Sequence, residues 1–487
     1  MKLKFSKKYW PLGLALLLFV VALIIRLSFA WFLPNNEPYD GVVYSQIARN
    51  VLEHKIYSTD VAAPYSSTYI RVPGYPMFLA IVYTFFGHQN DSAVRIIQAF
   101  IDSLTCLLIA CLAIIWLPES WRKKRKQVGL VALGLAVFSP FLIIYVTTLL
   151  TETITVFLLV TFTILISQFI KNKNNYFLFF AGIIGGLMTM MRPDSGFFVL
   201  AGGLILIIAT LKWYKLKLFI KKIILTGVIF TFGFIIILAP WTIRNWQIFH
   251  VFMPIAPSSA SMPDQFYASG YDDWVKTWAT SDRYTDYAQW SLDTEKINID
   301  GLPEAAFNSS LERDRVQKLF DLYNNPDQDE NPNNNVYMSP TLDAEFGQLA
   351  KERVSENPFK FYFILPAKRA VSLWFDTHSQ FYPFSGRLFP LQDLSVDNNQ
   401  NILLPIFFLL ILFLSIGLVA GSIIIWQYDD YRLMIVFLWL LIIPRLIFLA
   451  TLSHPEPRYT VEYFPLMISA SAIAVITLAN KCYNHNR

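Results

Sequence analysis

The chain has 487 residues, of which 55% are hydrophobic and only 15% charged, with a formal net charge of +5. So apolar a composition lies well outside the range of soluble domains and points to an integral membrane protein. The small positive excess implies no nucleic-acid partner, and the three cysteines, Cys106, Cys111 and Cys482, show no metal-ligand or CxxC spacing.

A helix that crosses a hydrocarbon core of about 30 Å needs roughly 20 apolar residues. On that rule spans are predicted near 10–33, 92–117, 127–146, 148–170, 176–191, 195–212, 218–240, 402–426, 431–453 and 460–480. The expected fold class is therefore an all-α polytopic bundle of about ten transmembrane helices. The first run is longer than the apolar region of a signal peptide, and Arg26 interrupts it before any small-residue cleavage site, so it reads as an uncleaved span.

Basic clusters fix the orientation. Lys2, Lys4, Lys7 and Lys8 precede the first span, and WRKKRK at 121–126, KNK at 171–173 and the lysines from Lys212 to Lys222 all fall on the same side by parity. Lys and Arg near span ends mark the cytoplasmic face, so both termini are predicted to be cytoplasmic in a multi-pass plasma membrane protein. Three regions follow: a transmembrane module at 1–245 with a first outer loop at 34–91, an outer region at 246–400, and C-terminal spans at 401–487.

The first outer loop begins with Asp40 directly before a helical stripe of apolar residues at 42, 43, 47, 51 and 52, a natural place for an N-cap. PGYPMFLAIVYTFFG at 73–87 is too short to cross and is expected to lie in the interface. Counting it as a span would turn WRKKRK outward. In the second span, Asp102 stands seven residues after Arg95, which suggests a buried pair between them.

Glu152, in TET, opens the fourth span, where an acidic side chain suits the positive helix end. Arg192 and Asp194 in MRPD and Arg244 in PWTIRN stand beside prolines at the ends of spans, and each arginine could simply anchor a helix to lipid headgroups. Gathered with Arg71 and Arg458, they could instead hold a phosphate through bidentate guanidinium bonds.

In the outer region, whose aromatics include Trp274, Trp278 and Trp290, DQDENPNNN at 327–335 reads as a mobile tip, and the aromatics of 266–284 are of the kind that stack on sugar rings. The stretch 357–375 reads as a second interfacial helix, with Lys360, Lys368 and Arg369 snorkelling. Arg445 lies well inside the ninth span and must find a partner, because a lone charge there costs on the order of 3 kcal/mol or more. His54, His88, His250 and His378 show no ligand spacing, and neither a metal nor a cofactor is expected.

Six charged motifs thus fall on the predicted outer face: Asp40, Arg71, Glu152, the Arg192–Asp194 turn, Arg244, and His454 to Arg458. A lipid flippase or solute transporter would also carry many spans and buried charge, but such sites usually lie at the midplane between repeated halves, and no internal repeat is visible. A non-catalytic assembly subunit would use the same motifs as headgroup anchors.

The motifs carry a resemblance. DGVVYSQIARN at 40–50, RVPGYP at 71–76, AVRIIQAFIDSLTCLL at 93–108, LLTET at 149–153, MRPD, PWTIRN and EPRYTVEYFP at 456–465 resemble the bacterial branch of the GT-C glycosyltransferases, which includes dolichyl-phosphate-mannose protein mannosyltransferases and the aminoarabinose transferase of lipid A. The resemblance implies a polyprenyl-phosphate-sugar donor, an acceptor glycan, lipid or protein, and transfer on the extracytoplasmic face. It further implies Asp40 as the catalytic base or its support, Glu152 near it, and Arg192 and Arg244 on the lipid phosphate. Tyr44, Arg71, Tyr75, Asp194, Arg458 and Tyr459 are the other expected substrate contacts.

Overall fold

The computed structural model describes residues 10–33, 38–257, 261–263, 265–282, 286–326, 336–384 and 398–485. The predicted tip at 327–335 and the four N-terminal lysines lie outside them. The helices in chain order are α1 (Trp10–Phe32), α2 (Tyr39–His54), α3 (Gly74–Phe86), α4 (Asp91–Trp116), α5 (Arg125–Val137), α6 (Pro140–Ile143), α7 (Glu152–Asn172), α8 (Asn175–Met191), α9 (Gly196–Trp213) and α10 (Leu216–Phe249). They continue with α11 (Ser269–Lys276), α12 (Ser310–Asn324), α13 (Pro340–Glu356), α14 (Leu365–Phe375), α15 (Asn398–Trp426), α16 (Arg432–Ala450) and α17 (Phe464–His485). The chain divides into two compact units, the first comprising Met1–Ala260, Thr377–Arg445 and Val461–Arg487, the second Ser261–Asp376 and Leu446–Thr460.

Eight helices among the described residues are long and apolar enough to cross a membrane. The predicted span at 127–146 is a broken one, in which Glu119–Val137 and Pro140–Thr147 meet at 53°. Pro140 supplies the break. The predicted span at 176–191 is α8, whose 17 residues stand at the lower limit for crossing. The seventh span runs on through Pro240 to Phe249, nine residues beyond its predicted end. A proline inside a membrane helix is tolerated when neighbouring groups satisfy the freed backbone, so it marked no boundary here.

Arg26 and Asp102 pair inside the first unit, both almost wholly buried. This corrects the expected Arg95–Asp102 pair: Arg95 donates from Nε to the carbonyl of Thr147 at 2.9 Å instead. Arg26 also donates to the carbonyls of Ala136 and Val137, at 3.2 and 3.1 Å. Those are the last carbonyls of α5: Ala136 also accepts from the amide of Ser139 at 3.3 Å, but the break at Pro140 ends the regular ladder, and the buried cation supplies further donors where water cannot. Between α8 and α10 the backbones touch, since a Cβ on Gly182 would overlap the carbonyl of Phe230. Small residues allow such close approach, and dispersion then replaces the hydrophobic drive that lipid does not supply.

The second unit has its own core, in which Tyr271, Trp274, Trp278, Phe320, Tyr323 and Phe346 are all nearly inaccessible. The expectation that Trp274 and Trp278 stack on sugars is therefore corrected. Spacing of three and four residues turns 271, 274, 275 and 278 to one face, and that face is closed by α12 and α13. Ser309 and Ser339 cap those helices by accepting from the amides of Glu312 and Leu342. Arg369 does not snorkel: it is 1% exposed and donates to the carbonyls of Lys276, Ala279 and Ala450. Lys368, in contrast, is exposed.

Candidate functional site

Two groups of charged side chains form in the first unit. The first is built around the loop between α2 and α3. Asp40 lies in the first turn of α2 and not at its cap; Pro38 takes the cap position and makes no side-chain bond. The carboxylate is thus available to another chain segment, and its Oδ1 accepts from Nη2 of Arg71 at 3.0 Å. Tyr57 donates to the carbonyls of Arg71 and Val72 at 3.1 Å, which pins the loop carrying Arg71. Burial pushes the Tyr57 phenol well above its usual range, so it stays protonated as a donor.

Arg244 enters the same group from α10. Its Nη1 donates to the carbonyl of Thr68 at 2.7 Å and to Oδ1 of Asn245 at 2.9 Å. Its guanidinium stands over the rings of Trp241, Tyr57 and Phe249, 4.9 to 5.3 Å from their centroids. Among the described residues no carboxylate pairs with it. Aromatic faces, one backbone carbonyl and one side-chain amide therefore hold a cation whose full charge is left for an incoming anion.

The second group is a buried ion network. Glu152, the first residue of α7, is 1% exposed and accepts from Nη1 of Arg192 at 2.8 Å. Arg192 is extended, with φ −145° and ψ 121°, because Pro193 follows it and disfavours a helical conformation. That breaks the chain out of α8 and starts the turn into α9. Nε of Arg192 reaches Oδ1 of Asp194 at 3.2 Å, and Asp194 in turn accepts two bonds from Arg445, at 2.6 and 3.1 Å. Glu462 completes the set, 3.4 Å from Nη1 of Arg445 and 3.7 Å from Nε of Arg192.

Arg445 thereby finds its partners, and Glu462 is the residue that sequence reasoning missed. Glu462 is fully buried, and neither oxygen has a hydrogen-bond partner among the described residues. A signal was present: it is an ionisable residue at the mouth of an apolar run, within the EPRYTVEYFP motif, in a chain whose Arg445 needed an acid. Among the described residues, three carboxylates here face two guanidiniums.

The backbone joins the two groups. A Cβ on Gly74 would overlap the carbonyl of Met190, so the start of α3 rests on the last turn of α8. Arg71 lies three residues before that contact and Arg192 two residues after it. Only glycine fits there. Tyr75 is fully buried; its hydroxyl donates to Oε1 of Gln98 at 2.7 Å, and Gln98 donates to the carbonyl of Thr148 at 2.9 Å. Tyr44 meets the ring of Tyr75 edge-on at 5.3 Å, so Tyr75 supports Tyr44 from behind.

Arg458 and Tyr459 lie in the second unit. Arg458 pairs with Glu456 and stands 5.4 Å from the Tyr459 ring centroid.

These features define a polytopic membrane protein of the GT-C fold. Across 98% of its length the chain superposes on an oligosaccharyltransferase of Archaeoglobus fulgidus tethered to an acceptor peptide, with a TM-score of 0.53 at 15% identity. A structure of the archaeal oligosaccharyltransferase AglB from the same organism, in complex with an inhibitory peptide and a dolichol-phosphate, matches over 99% of the chain with a TM-score of 0.52 at 14% identity. The chain spans about half the length of these proteins, 51% in each case. ArnT of Cupriavidus metallidurans is more distant, with a TM-score of 0.38 at 11% identity over 95% of this chain and 78% of that one. Residues 71–241 match the family described as dolichyl-phosphate-mannose-protein mannosyltransferase. Comparison with curated proteins gave no match by sequence.

Proposed function

We propose that the protein is a membrane glycosyltransferase that moves a sugar from a polyprenyl-phosphate carrier to an acceptor hydroxyl on the extracytoplasmic face, with inversion. The observation that carries this reading is the family match over 71–241, because that stretch contains Arg71, Tyr75, Glu152, Arg192 and Asp194, the framework of both charged groups. The dolichol-phosphate held by a protein of the same fold supports the carrier.

In this mechanism the acceptor hydroxyl attacks the anomeric carbon while the polyprenyl phosphate leaves from the opposite face. A carboxylate with a pKa near 4 cannot ionise a free alcohol, but it takes the proton as charge develops in the transition state. Asp40 is assigned that role, with Arg71 fixing its orientation. Glu152 is assigned to holding Arg192 beside it. The leaving phosphate gains negative charge, so a positioned guanidinium that binds it more strongly in the transition state lowers the barrier. Arg244 is the first such contact. Arg192 is the second, and it reaches the phosphate by exchanging one of its present carboxylate partners. Arg458 and Tyr459 are assigned to further substrate contacts.

Arg244→Ala should weaken binding of a labelled polyprenyl-phosphate sugar by roughly tenfold to a hundredfold, the loss expected for about 1.5–3 kcal/mol of charge-assisted hydrogen bonding. Unchanged binding by the purified variant would remove the phosphate assignment. The predicted orientation has its own test. In a background lacking the natural cysteines, Gln265→Cys should react with an impermeant thiol reagent applied outside intact cells, and Lys124→Cys should not.

A further inference from the structure

Among the large aromatics that the second unit turns outward, three lie in the segment around α11. Phe266, Tyr267 and Trp290 are 48%, 41% and 47% exposed, although Tyr271 and Trp274 of the same region are buried. Isolated exposed aromatics are ordinary on a protein surface. What distinguishes Trp290 is its company. His454, from the segment 446–460, lies against it with ring centroids 5.5 Å apart, tilted by 58°. Nδ1 of His454 is 2.9 Å from Oγ of Ser453 and 3.8 Å from Oδ1 of Asp272.

Asp272 is the hub. It accepts from Nε2 of Gln289 at 2.7 Å and also engages the Tyr267 hydroxyl, and its side chain stays 22% exposed. Burial holds the His454 imidazole below its ordinary value, which leaves it neutral near pH 7, able to donate from one nitrogen and accept at the other. Helix α11 explains the arrangement: its buried face carries Tyr271, Trp274 and Val275, and Asp272, one residue on from Tyr271, emerges half-buried on the flank of that face.

A flat aromatic face beside a carboxylate, an amide and an imidazole matches one kind of ligand. A pyranose has a face of C–H groups that packs on an indole and a rim of hydroxyls that donate and accept. Asp272 and Glu456 give the neighbourhood negative charge; Arg458 is engaged by Glu456, and Arg369, the cation that Asp272 also attracts, is buried against the carbonyls of Lys276, Ala279 and Ala450, so an acidic sugar is disfavoured. We propose that Trp290, Tyr267, Asp272, Gln289 and His454 form a carbohydrate-binding subsite for a neutral pyranose, with Trp290 under the ring and Asp272 and His454 on its hydroxyls. The proposal rests on the glycosyl-transfer reading only for the source of that sugar, which is either the donor's or an acceptor glycan's.

The test is saturation-transfer NMR on the full chain in nanodiscs, with methyl α-mannopyranoside, methyl α-glucopyranoside and a methyl glucuronoside as probes. The neutral pyranosides should receive saturation on the protons of one ring face, and the uronoside should compete poorly. Trp290→Ala and Asp272→Asn should each weaken binding about tenfold, equivalent to about 1.4 kcal/mol, whereas Trp290→Phe should retain most of it. Should Trp290→Ala fail to fold, Asp272→Asn and Trp290→Phe still report. Absence of pyranoside binding to the wild-type chain, or equal binding by Trp290→Ala or Asp272→Asn, would overturn the subsite. Competition by a citronellyl-phosphate-linked mannose distinguishes the sources: displacement assigns the donor's sugar, and no displacement assigns an acceptor glycan. Because binding is read without turnover, pyranoside binding by a chain inactive in transfer would count against the transferase reading and leave the subsite standing.

Discussion

Asp40→Asn should lower kcat for sugar transfer by about two to four orders of magnitude, the usual contribution of a positioned general base. Binding of the donor lipid should change little. The amide keeps an oxygen that can accept from Arg71, so the loop between α2 and α3 stays pinned by that contact and by the Tyr57 bonds to the carbonyls of Arg71 and Val72. What is lost is the capacity to take a proton. The measurement is single-turnover transfer from a radiolabelled polyprenyl-phosphate sugar, with donor binding measured in parallel. Full activity in the variant would remove Asp40 from the base position. A fall in donor affinity with kcat intact would place it in binding instead.

Arg445→Met should be the most destabilising of the single changes considered, at about 3–5 kcal/mol, because it leaves buried carboxylates without their cation. Arg445 is fully buried and serves both Asp194 and Glu462. Among the described residues the wild type has three acids facing two guanidiniums, and the single variant raises the excess of acid. Glu462→Gln removes that excess and should be mild or stabilising on its own. The double variant Arg445→Met with Glu462→Gln restores the wild-type balance, so it should unfold at a higher temperature than Arg445→Met alone. Apparent unfolding temperatures in detergent would check this. If the double variant is as unstable as the single one, lost packing and not charge is what Arg445 contributes.

The charge network also shows where reading the chain succeeded and where it stopped. Proline beside arginine in MRPD was visible as the end of a helix, and the structure places Arg192 in an extended conformation for that local reason. Glu152 was visible as the opening residue of a span, and it opens α7. Arg445 was visible as a charge in need of a partner, but the partners stand 251 residues upstream and in the turn just before α17. Nothing in the local pattern distinguishes Asp194 from Asp102 as the answer. In the same way, seven-residue spacing suggested Arg95 for Asp102, whereas the true partner is Arg26, 76 residues away on α1. The aromatics of the outer region misled for a related reason. An apolar stripe states that a face is buried only once a second surface exists to bury it, and α12 and α13 supply that surface to Trp274 and Trp278.

The all-helical class, the rough placement of the spans and the positions at which charge meets apolar chain are properties of short windows, so hydropathy was enough to establish them, whereas the exact span ends at Pro140 and Pro240 depended on the neighbouring helices. Pairing is not a property of windows. A buried charge binds whichever opposite charge packing brings within reach, and an indole is core or surface according to what is folded against it. The Glu152–Arg192–Asp194–Arg445–Glu462 network, the contact of Gly74 with Met190 and the outward face around Trp290 were therefore decided by helix packing, which joins elements that the chain itself keeps far apart.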